Sequence, residues 1–442
     1  MSFLLADWRD RATHRRVWAL AAPMILSNIS VPLVALVDST VIGHLPHAHQ
    51  LGAVAVGSSL YIYLAWMMGF LRMGTTGFAA QAAGRNDGTA LRQILLQGLL
   101  LGLGLSLFLA AIAMPFSGVA LSVMQPSAEL HDMTLAFFHN RLFGLPASLA
   151  SYALVGWFLG SQNARAPLAI LLTTNLMNIA LNLWFVLGLD WGVVGSARAS
   201  VIAEWCGALL GLWLTRGALR AYPGKMAWAA LRVWQNWKPL LGVNRDIFIR
   251  SLLLQSVFFA ITVQGARLGD ATVAANALLL NGLLLTAHAL DGLAHAVEAL
   301  CGHAIGARDR TALRRSMVVA FGWSLLASAL FALLFVFGGH LFVQMQTDIP
   351  SVRETAFQYL PYLAVLPLIA VWSYLLDGLF IGATRALEMR NAMLVSVVIA
   401  FPVAWALHGY GNHGLWISFL LFMVLRSLIL GLYALRIQWF AP

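Results

Sequence analysis

Long apolar stretches recur along the whole chain, and they constrain the fold more than any other feature of the sequence. Each is about 20 residues or longer, enough to cross the hydrocarbon core of a bilayer. Lipid offers the backbone no hydrogen-bond partner, so each spanning segment must be a helix or belong to a closed barrel. The runs are too long and too uniformly apolar for barrel strands. The sequence therefore predicts an all-α integral membrane protein with twelve spans, at residues 17–42, 52–80, 94–117, 133–160, 167–189, 192–214, 243–266, 272–302, 315–344, 355–383, 391–409 and 413–435.

The positive charges are distributed unevenly along the chain. The net charge is +10, although charged residues are only 10% of the 442 residues. Arginines and lysines cluster before the first span and after each even-numbered span, and the opposite loops carry few. This is the positive-inside pattern with both termini in the cytoplasm. The basic balance thus indicates membrane topology and requires no nucleic-acid partner.

A repeat of nearly half the chain length divides the spans into two groups. The segment "SYALVGWFLGSQNA" at 151–164 aligns with "SYLLDGLFIGATRA" at 373–386, and "GRNDGTALRQ" at 84–93 aligns with "GARDRTALRR" at 306–315. Both pairs are 222 residues apart. We therefore expect two pseudo-symmetric six-helix lobes in the same orientation, with a site between or within them. The expected boundaries are 1–214 for the N-lobe, 215–242 for a basic, aromatic cytoplasmic linker, and 243–442 for the C-lobe.

One aspartate, Asp38, interrupts the first span in "VPLVALVDSTVIG". An acid inside a membrane is expensive, and it usually faces a bundle interior or a wet cavity on an ion or substrate path. Other polar residues fall at the same predicted depth, in the outer half of the first six spans. They lie in pairs four residues apart, hence on one helical face: Asn178 and Asn182 on the fifth span, and Ser196 and Ser200 on the sixth.

One carboxylate, two amides and two hydroxyls could hold a proton or a small hard cation such as Na⁺. A polar network that only joins helices is the alternative, because Asn and Ser do this in membranes. Glu204 lies four residues beyond Ser200 on the same face, and we expect it to extend the cluster inward.

The second half of the chain differs. Its position equivalent to Asp38 is Ala260, and its acids lie elsewhere. We expect them either to line a cation path or to be held by structure, with Arg72 as a partner for Asp291 or Asp377 and the interior otherwise acidic. The possible polar path comprises Asp291, His295 and Glu298 on the eighth span, with Glu298 near the cytoplasmic interface, and Asp377 on the tenth.

Aromatic and methionine side chains are dense in "YIYLAWMMGFLRM" at 61–73. Tyr61, Met67, Met68 and Arg72 could line a substrate cavity, because flexible Met side chains suit varied ligands. Simple helix packing is the alternative interpretation of the same residues.

No constellation of catalytic residues is present: the sequence has no P-loop, no HExxH and no GxSxG. His44, His47 and His49 could bind a metal, but no nearby Cys or acid completes a site, and an ordinary loop is the favoured interpretation. We therefore predict neither an enzyme nor a metal or organic cofactor. Without an ATP site, transport must use an ion gradient.

These residues carry a family resemblance. The opening "AAPMILSNISVPLVALVDSTVIGHL" followed by "LGAVAVG" resembles the multidrug and toxic compound extrusion (MATE) transporters, over essentially the whole chain. "VNRDIFIRSLLLQ" at 243–255 and "ASVIAEW" at 199–205 resemble the bacterial DinF (DNA-damage-inducible protein F) subfamily. The resemblance implies efflux of organic, mostly cationic and amphipathic drugs in exchange for H⁺ or Na⁺, by alternating access, from a monomer in the bacterial inner membrane.

The resemblance also implies an N-lobe cation site at Asp38, Asn178, Asn182, Ser196 and Ser200. The chain departs at Asn182, where the family leads us to expect an aspartate, and this puts Na⁺ binding in question. A second hypothesis is a flippase for lipids or lipid-linked precursors, since related two-lobe folds do this. A flippase should have a cationic cavity for a phosphate headgroup, which the acidic interior expected here does not offer.

Overall fold

The computed structural model describes residues 6–43, 48–123 and 127–439, with the backbone only at 31–39, 42, 43, 48, 49, 120 and 123. Regular structure in these ranges is helical, without strands. The longer helices, in chain order, are α1 Arg11–Gly43, α2 Ala48–Met67, α3 Phe70–Gly84, α4 Gly88–Val123, α5 Ala128–Leu142, α6 Leu145–Gly160, α7 Arg165–Asn182, α8 Gly192–Arg220, α9 Lys238–Arg267, α10 Asp270–Gly306, α11 Arg310–Gln344, α12 Pro350–Gly382, α13 Ala386–Ala406 and α14 Gly411–Arg436.

These helices agree with the predicted spans. Ten stretches of the described chain are long and apolar enough to cross a membrane, and α5 with α6, bent by 46° at their junction, make an eleventh. Helix α1, 33 residues long, covers the first predicted span. Helices α2 and α3 are separated only by Met68 and Gly69 and together form the second. The predicted all-α membrane fold is confirmed.

The internal repeat is visible in the backbone of the turns. Asn86 and Arg308, 222 residues apart, have φ of 54° and 56°. Gln162 and Thr384, also 222 apart, have φ of 62° and 57°. Non-glycine residues seldom adopt positive φ, so its recurrence at one offset indicates that both halves make the same inter-helix turns.

The repeat also brings helices close together at equivalent glycines. A Cβ on Gly160 would lie 2.6 Å from the Thr76 carbonyl oxygen, and one on Gly382 would lie 2.4 Å from that of Glu298. Both distances are too short for any side chain. Glycine therefore allows α6 to cross α3, and α12 to cross α10, at backbone contact. A second matched pair of crossings is formed by Gly156 with Arg72 and Gly378 with Ala294.

The chain divides into two compact units. One comprises residues 26–240, and the other comprises residues 1–25 with 241–442. The expected lobe boundaries at 214 and 243 remain a prediction, and the first part of α1 groups with the second unit. Between α8 and α9 the linker forms two 3₁₀ turns, Trp228–Arg232 and Trp234–Asn236.

Candidate functional site

The polar pairs on α7 and α8 meet inside the first unit. Asn178 donates through Nδ2 to Ser200 Oγ at 2.8 Å. Asn182 donates through Nδ2 to Asn178 Oδ1 at 3.2 Å. All three side chains are buried, with Asn182 fully so, and Ser196 is buried one turn from Ser200. The two helices therefore present a continuous amide–hydroxyl chain in an apolar interior.

Helix α1 joins this region through a second contact. Asn175, one turn before Asn178, donates through Nδ2 to Ser30 Oγ at 2.7 Å, and Ser30 donates to the Ser27 carbonyl oxygen. Asp38 lies about two turns further along α1. Its side chain is outside the described part of the structure, so its place in the cluster remains a prediction. The three histidines weighed as a metal set also lie outside it: His44 and His47 are not described, and His49 is described only by its backbone.

Glu204 does not extend the amide–hydroxyl chain as expected. Its Oε1 accepts from Arg141 Nη2 at 2.9 Å, and its Oε2 accepts from the Tyr61 hydroxyl at 3.2 Å. The Arg141 guanidinium lies over the Tyr61 ring, 3.9 Å from its centroid, and both charged side chains are mostly buried. Glu204 therefore belongs to a separate ion pair. Sequence reasoning missed Arg141, although an arginine within an apolar span was a usable signal.

The bend between α5 and α6 makes room for this ion pair. A Cβ on Gly144, in the bend, would lie 1.9 Å from Glu204 Oε2. The carboxylate thus occupies space that only glycine leaves, beside the first turn of α6. Tyr61 hydrogen-bonds Glu204 and contacts Ser148 Oγ at 3.1 Å. Its predicted role in a substrate cavity with Met67, Met68 and Arg72 remains untested.

The second unit contains a different charged centre. Asp377 on α12 accepts hydrogen bonds at one oxygen, Oδ2, from both Arg250 on α9 and Arg426 on α14. All three residues are at least nine-tenths buried. Within the described residues, Asp377 Oδ1 and the Nε atoms of both arginines have no hydrogen-bond partner. We name Arg250, Asp377 and Arg426 the arginine–aspartate trio.

The trio corrects one expectation and supplies partners that the sequence did not indicate. Asp377 pairs with Arg250 and Arg426, and a pairing of Arg72 with Asp291 or Asp377 remains a prediction. The interior is not acidic apart from Arg72, because Arg141, Arg250 and Arg426 are all buried. Sequence reasoning missed them because it examined the acids within the apolar spans and, of the basic residues there, only Arg72 as a partner. A buried carboxylate needs a compensating partner, and that requirement could have directed the search to these arginines.

The stripe predicted on the eighth span lies on α10. His295 and Glu298 are buried, and Glu298, only 2% exposed, is enclosed by protein. Its expected depth near the cytoplasmic interface remains a prediction. Asp291 is half-buried and interacts electrostatically with Arg250 and Tyr374. The structure therefore connects Asp291 with the trio. A path for cations through these groups remains a prediction.

A second buried amide pair escaped sequence reasoning. Asn276 on α10 and Asn412 on α14 exchange two hydrogen bonds, of 2.8 and 2.9 Å. Trp416 donates through Nε1 to Asn276 Oδ1 at 2.9 Å. All three side chains are buried. Their hydrogen bonds are satisfied within the cluster, which favours a role in joining the two helices.

Comparison with known proteins gives consistent matches. A family model described as MatE matches residues 23–184 and 247–406. DNA damage-inducible protein F of Escherichia coli (strain K12) is 44% identical, over 95% of this chain and 92% of its own length. A probable multidrug resistance protein NorM of Xanthomonas axonopodis pv. citri (strain 306) is 27% identical, over 95% of this chain and 93% of its own. A solved structure, "Crystal structure of MATE in the bent conformation", superposes with a TM-score of 0.85 at 17% identity, over 98% of this chain and 96% of that one.

Proposed function

The chain belongs to the MATE family of membrane transporters, in its DinF subfamily, and from this premise we propose that it is an ion-coupled multidrug antiporter. It exports organic, mostly cationic or amphipathic compounds in exchange for H⁺, by alternating access in the bacterial inner membrane. It acts as a monomer with both termini in the cytoplasm. Members of this family are transporters and not enzymes.

The observation that carries the proposal is the buried chain Asn182–Asn178–Ser200. Such a chain in an apolar interior favours the binding of a proton or a cation at the acid that completes it. The amide and hydroxyl oxygens of the chain can accept hydrogen bonds or coordinate a cation. Asp38 is the proposed coupling carboxylate. Asn182 stands where the family leads us to expect a second acid, so the site holds one carboxylate, which favours H⁺ over Na⁺.

Coupling requires that the ion discriminate between two conformations. An ion shifts a conformational equilibrium only by the difference in its affinity for the two states. In the proposed cycle, protonated Asp38 hydrogen-bonds as a neutral group and favours one arrangement of α1 against α7 and α8. Ionised Asp38 favours the other arrangement, in which export of the drug is completed.

The test is dye or drug efflux from proteoliposomes under an imposed pH gradient or an imposed Na⁺ gradient. We expect the pH gradient to drive efflux in the wild type, and Asp38→Asn to reduce it to the leak of protein-free vesicles. Asn178→Ala should also lower efflux, because it breaks both hydrogen bonds of the chain. Efflux driven only by the Na⁺ gradient would show that Na⁺, and not H⁺, is the coupling ion.

Asp190→Asn is the matched control for Asp38→Asn. Asp190 is an exposed acid at the predicted outer end of the same unit. Its φ is 52°, a conformation that asparagine tolerates. The Asp190→Asn protein should retain wild-type efflux. Full gradient-driven efflux in Asp38→Asn would reject Asp38 as the coupling group.

One observation favours a second candidate, a flippase for phosphate-bearing lipids. The buried arginines Arg250 and Arg426 supply the cationic interior that such a substrate needs, and the sequence did not indicate them. A fluorescent phospholipid in the same vesicles, assayed by dithionite quenching, distinguishes the two activities. Lipid translocation that survives Asp38→Asn, without gradient-driven efflux of any cationic compound, would establish the flippase.

A further inference from the structure

The end of α8 carries an open cleft that neither the coupling cluster nor the trio uses. It has a volume of about 350 Å³ and is lined by Trp213, Leu214, Arg216, Gly217 and Arg220. Gly217 forms its floor, since a Cβ there would meet nothing within 4 Å. The indole of Trp213, 62% exposed, forms one wall. We name these five residues the α8 cleft.

The cleft is positively charged and uncompensated. Arg216 and Arg220 are exposed, and neither has an ion pair in the part of the chain that the structure describes. The segment that follows, residues 221–242, contains three more basic residues and no acid. An anionic ligand would therefore meet little local repulsion.

An exposed apolar strip continues from the cleft towards the middle of α8. Trp205, Leu209 and Trp213 lie four residues apart, on one face of the helix, and are 42%, 57% and 62% exposed. Gly217 lies one further step along that face, and Arg220 lies seven residues, about two turns, beyond Trp213. A molecule that fits this surface has an anionic head and a long apolar tail. This combination indicates a phospholipid and not a free phosphate.

The neighbouring linker is hydrogen-bonded to the same unit. Arg92 donates to the Tyr222 and Leu219 carbonyl oxygens at 2.7 and 3.0 Å, and Gln97 donates to that of Asn236 at 3.0 Å. Trp228 and Trp234 nevertheless remain 65% and 61% exposed. Exposed tryptophans on a basic segment are typical of the membrane–water interface. The linker thus places the α8 cleft at headgroup depth.

We propose that the α8 cleft binds the headgroup of an anionic phospholipid of the phosphatidylglycerol type. Arg216 and Arg220 contact its phosphate, Trp213 packs against its glycerol, and the acyl chains follow Leu209 and Trp205. Juxtamembrane basic residues attract anionic lipid in this way. The site is separate from the proposed transport site and does not depend on its function.

Native mass spectrometry of the detergent-purified full-length protein tests the proposal. Phosphatidylglycerol and phosphatidylcholine with the same acyl chains are titrated in parallel. The wild type should bind phosphatidylglycerol preferentially. Arg216→Gln with Arg220→Gln should weaken that binding roughly thirtyfold, from the attraction of two basic residues near a membrane surface. Gly217→Leu should weaken it similarly, by filling the floor of the cleft without a clash.

Two matched controls separate the cleft from general effects. Arg85→Gln with Arg165→Gln removes the same charge from exposed positions at the same predicted membrane face. Gly104→Leu adds the same side chain at another exposed helical glycine whose Cβ would meet nothing within 4 Å. Both control proteins should bind phosphatidylglycerol as the wild type does.

Three outcomes would overturn the proposal. The first is equal binding of both lipids by the wild type. The second is an equal loss of binding in the Arg85/Arg165 control, which would indicate attraction by net charge alone. The third is displacement of phosphatidylglycerol by millimolar inorganic phosphate, which would identify the ligand as a free anion.

Discussion

The two units share inter-helix turns and glycine crossings and differ in how they handle buried charge. Glu204 on α8 and Arg426 on α14 are 222 residues apart, so the repeat places opposite charges at equivalent positions. Glu204 is neutralised by one arginine, Arg141. Arg426 shares the single carboxylate of Asp377 with Arg250. Helix crossings depend on short backbone distances, which few residues satisfy. A buried charge requires only a compensating charge, and different residues can supply it.

The charged centres should differ most when their acid is removed. Asp377→Ala leaves two buried arginines without a counter-charge, and we expect it to lower the free energy of unfolding by about 3–5 kcal/mol. Glu204→Ala leaves one arginine, still stacked on Tyr61, and should cost about 1–3 kcal/mol. Thermal unfolding of the purified proteins in detergent measures both.

Glu354→Ala is the control for these two variants, because Glu354 is an exposed acid on the same helix as Asp377. It should unfold as the wild type does. If the unfolding temperature of Asp377→Ala is no lower than that of Glu204→Ala, then the contrast between the two centres is wrong.

The helix crossings that both halves share predict equal effects of substitution at equivalent glycines. Gly160→Ala and Gly382→Ala each force a methyl group against a backbone carbonyl oxygen, and each should cost about 1–3 kcal/mol. Gly104→Ala, where a Cβ meets nothing within 4 Å, should be neutral or slightly stabilising. The same unfolding assay measures all three. A loss at only one of the two crossings would show that the halves pack differently.

The smallest effect concerns the start of the chain, which packs on the second unit. Arg314 donates through Nε to Asp7 Oδ2 at 2.6 Å, and Arg315 approaches Oδ1 at 3.4 Å. The hydrogen bond from Arg314 holds the pKa of Asp7 below its ordinary value of 3.8. A lowered pKa stabilises the fold above the unfolded-state value, and this contribution is lost as the pH falls through the folded-state value.

We therefore expect Asp7→Asn to lower the unfolding temperature modestly at neutral pH. The difference from the wild type should persist at about pH 5, begin to shrink below the ordinary pKa of a carboxyl group, about 3.9, and disappear below the lower folded-state pKa of Asp7. Unfolding temperatures of both proteins across this pH range measure it. A difference that does not change with pH would assign the effect to packing and not to charge. Asp190→Asn, at an exposed acid, should show no difference at any pH.

Much of the candidate site could be anticipated from the sequence, but not its charge balance. Four-residue spacing was sufficient to place Asn178, Asn182 and Ser200 on facing helices, because helical periodicity fixes which side chains share a face. The same reasoning assigned Glu204 to that face and overlooked Arg141. Spacing along one helix does not identify which residue of another helix will approach it.

The sequence by itself determined the all-helical membrane fold, the number of spans and the internal repeat. It could do so because the bilayer imposes length and hydrophobicity on each span separately, and such local requirements are written in consecutive residues. Tertiary structure alone decided the ion partners, Arg141 for Glu204 and the two arginines for Asp377. Those pairings join residues that are 63, 127 and 49 positions apart. Only the packing of the helices brings such residues into contact.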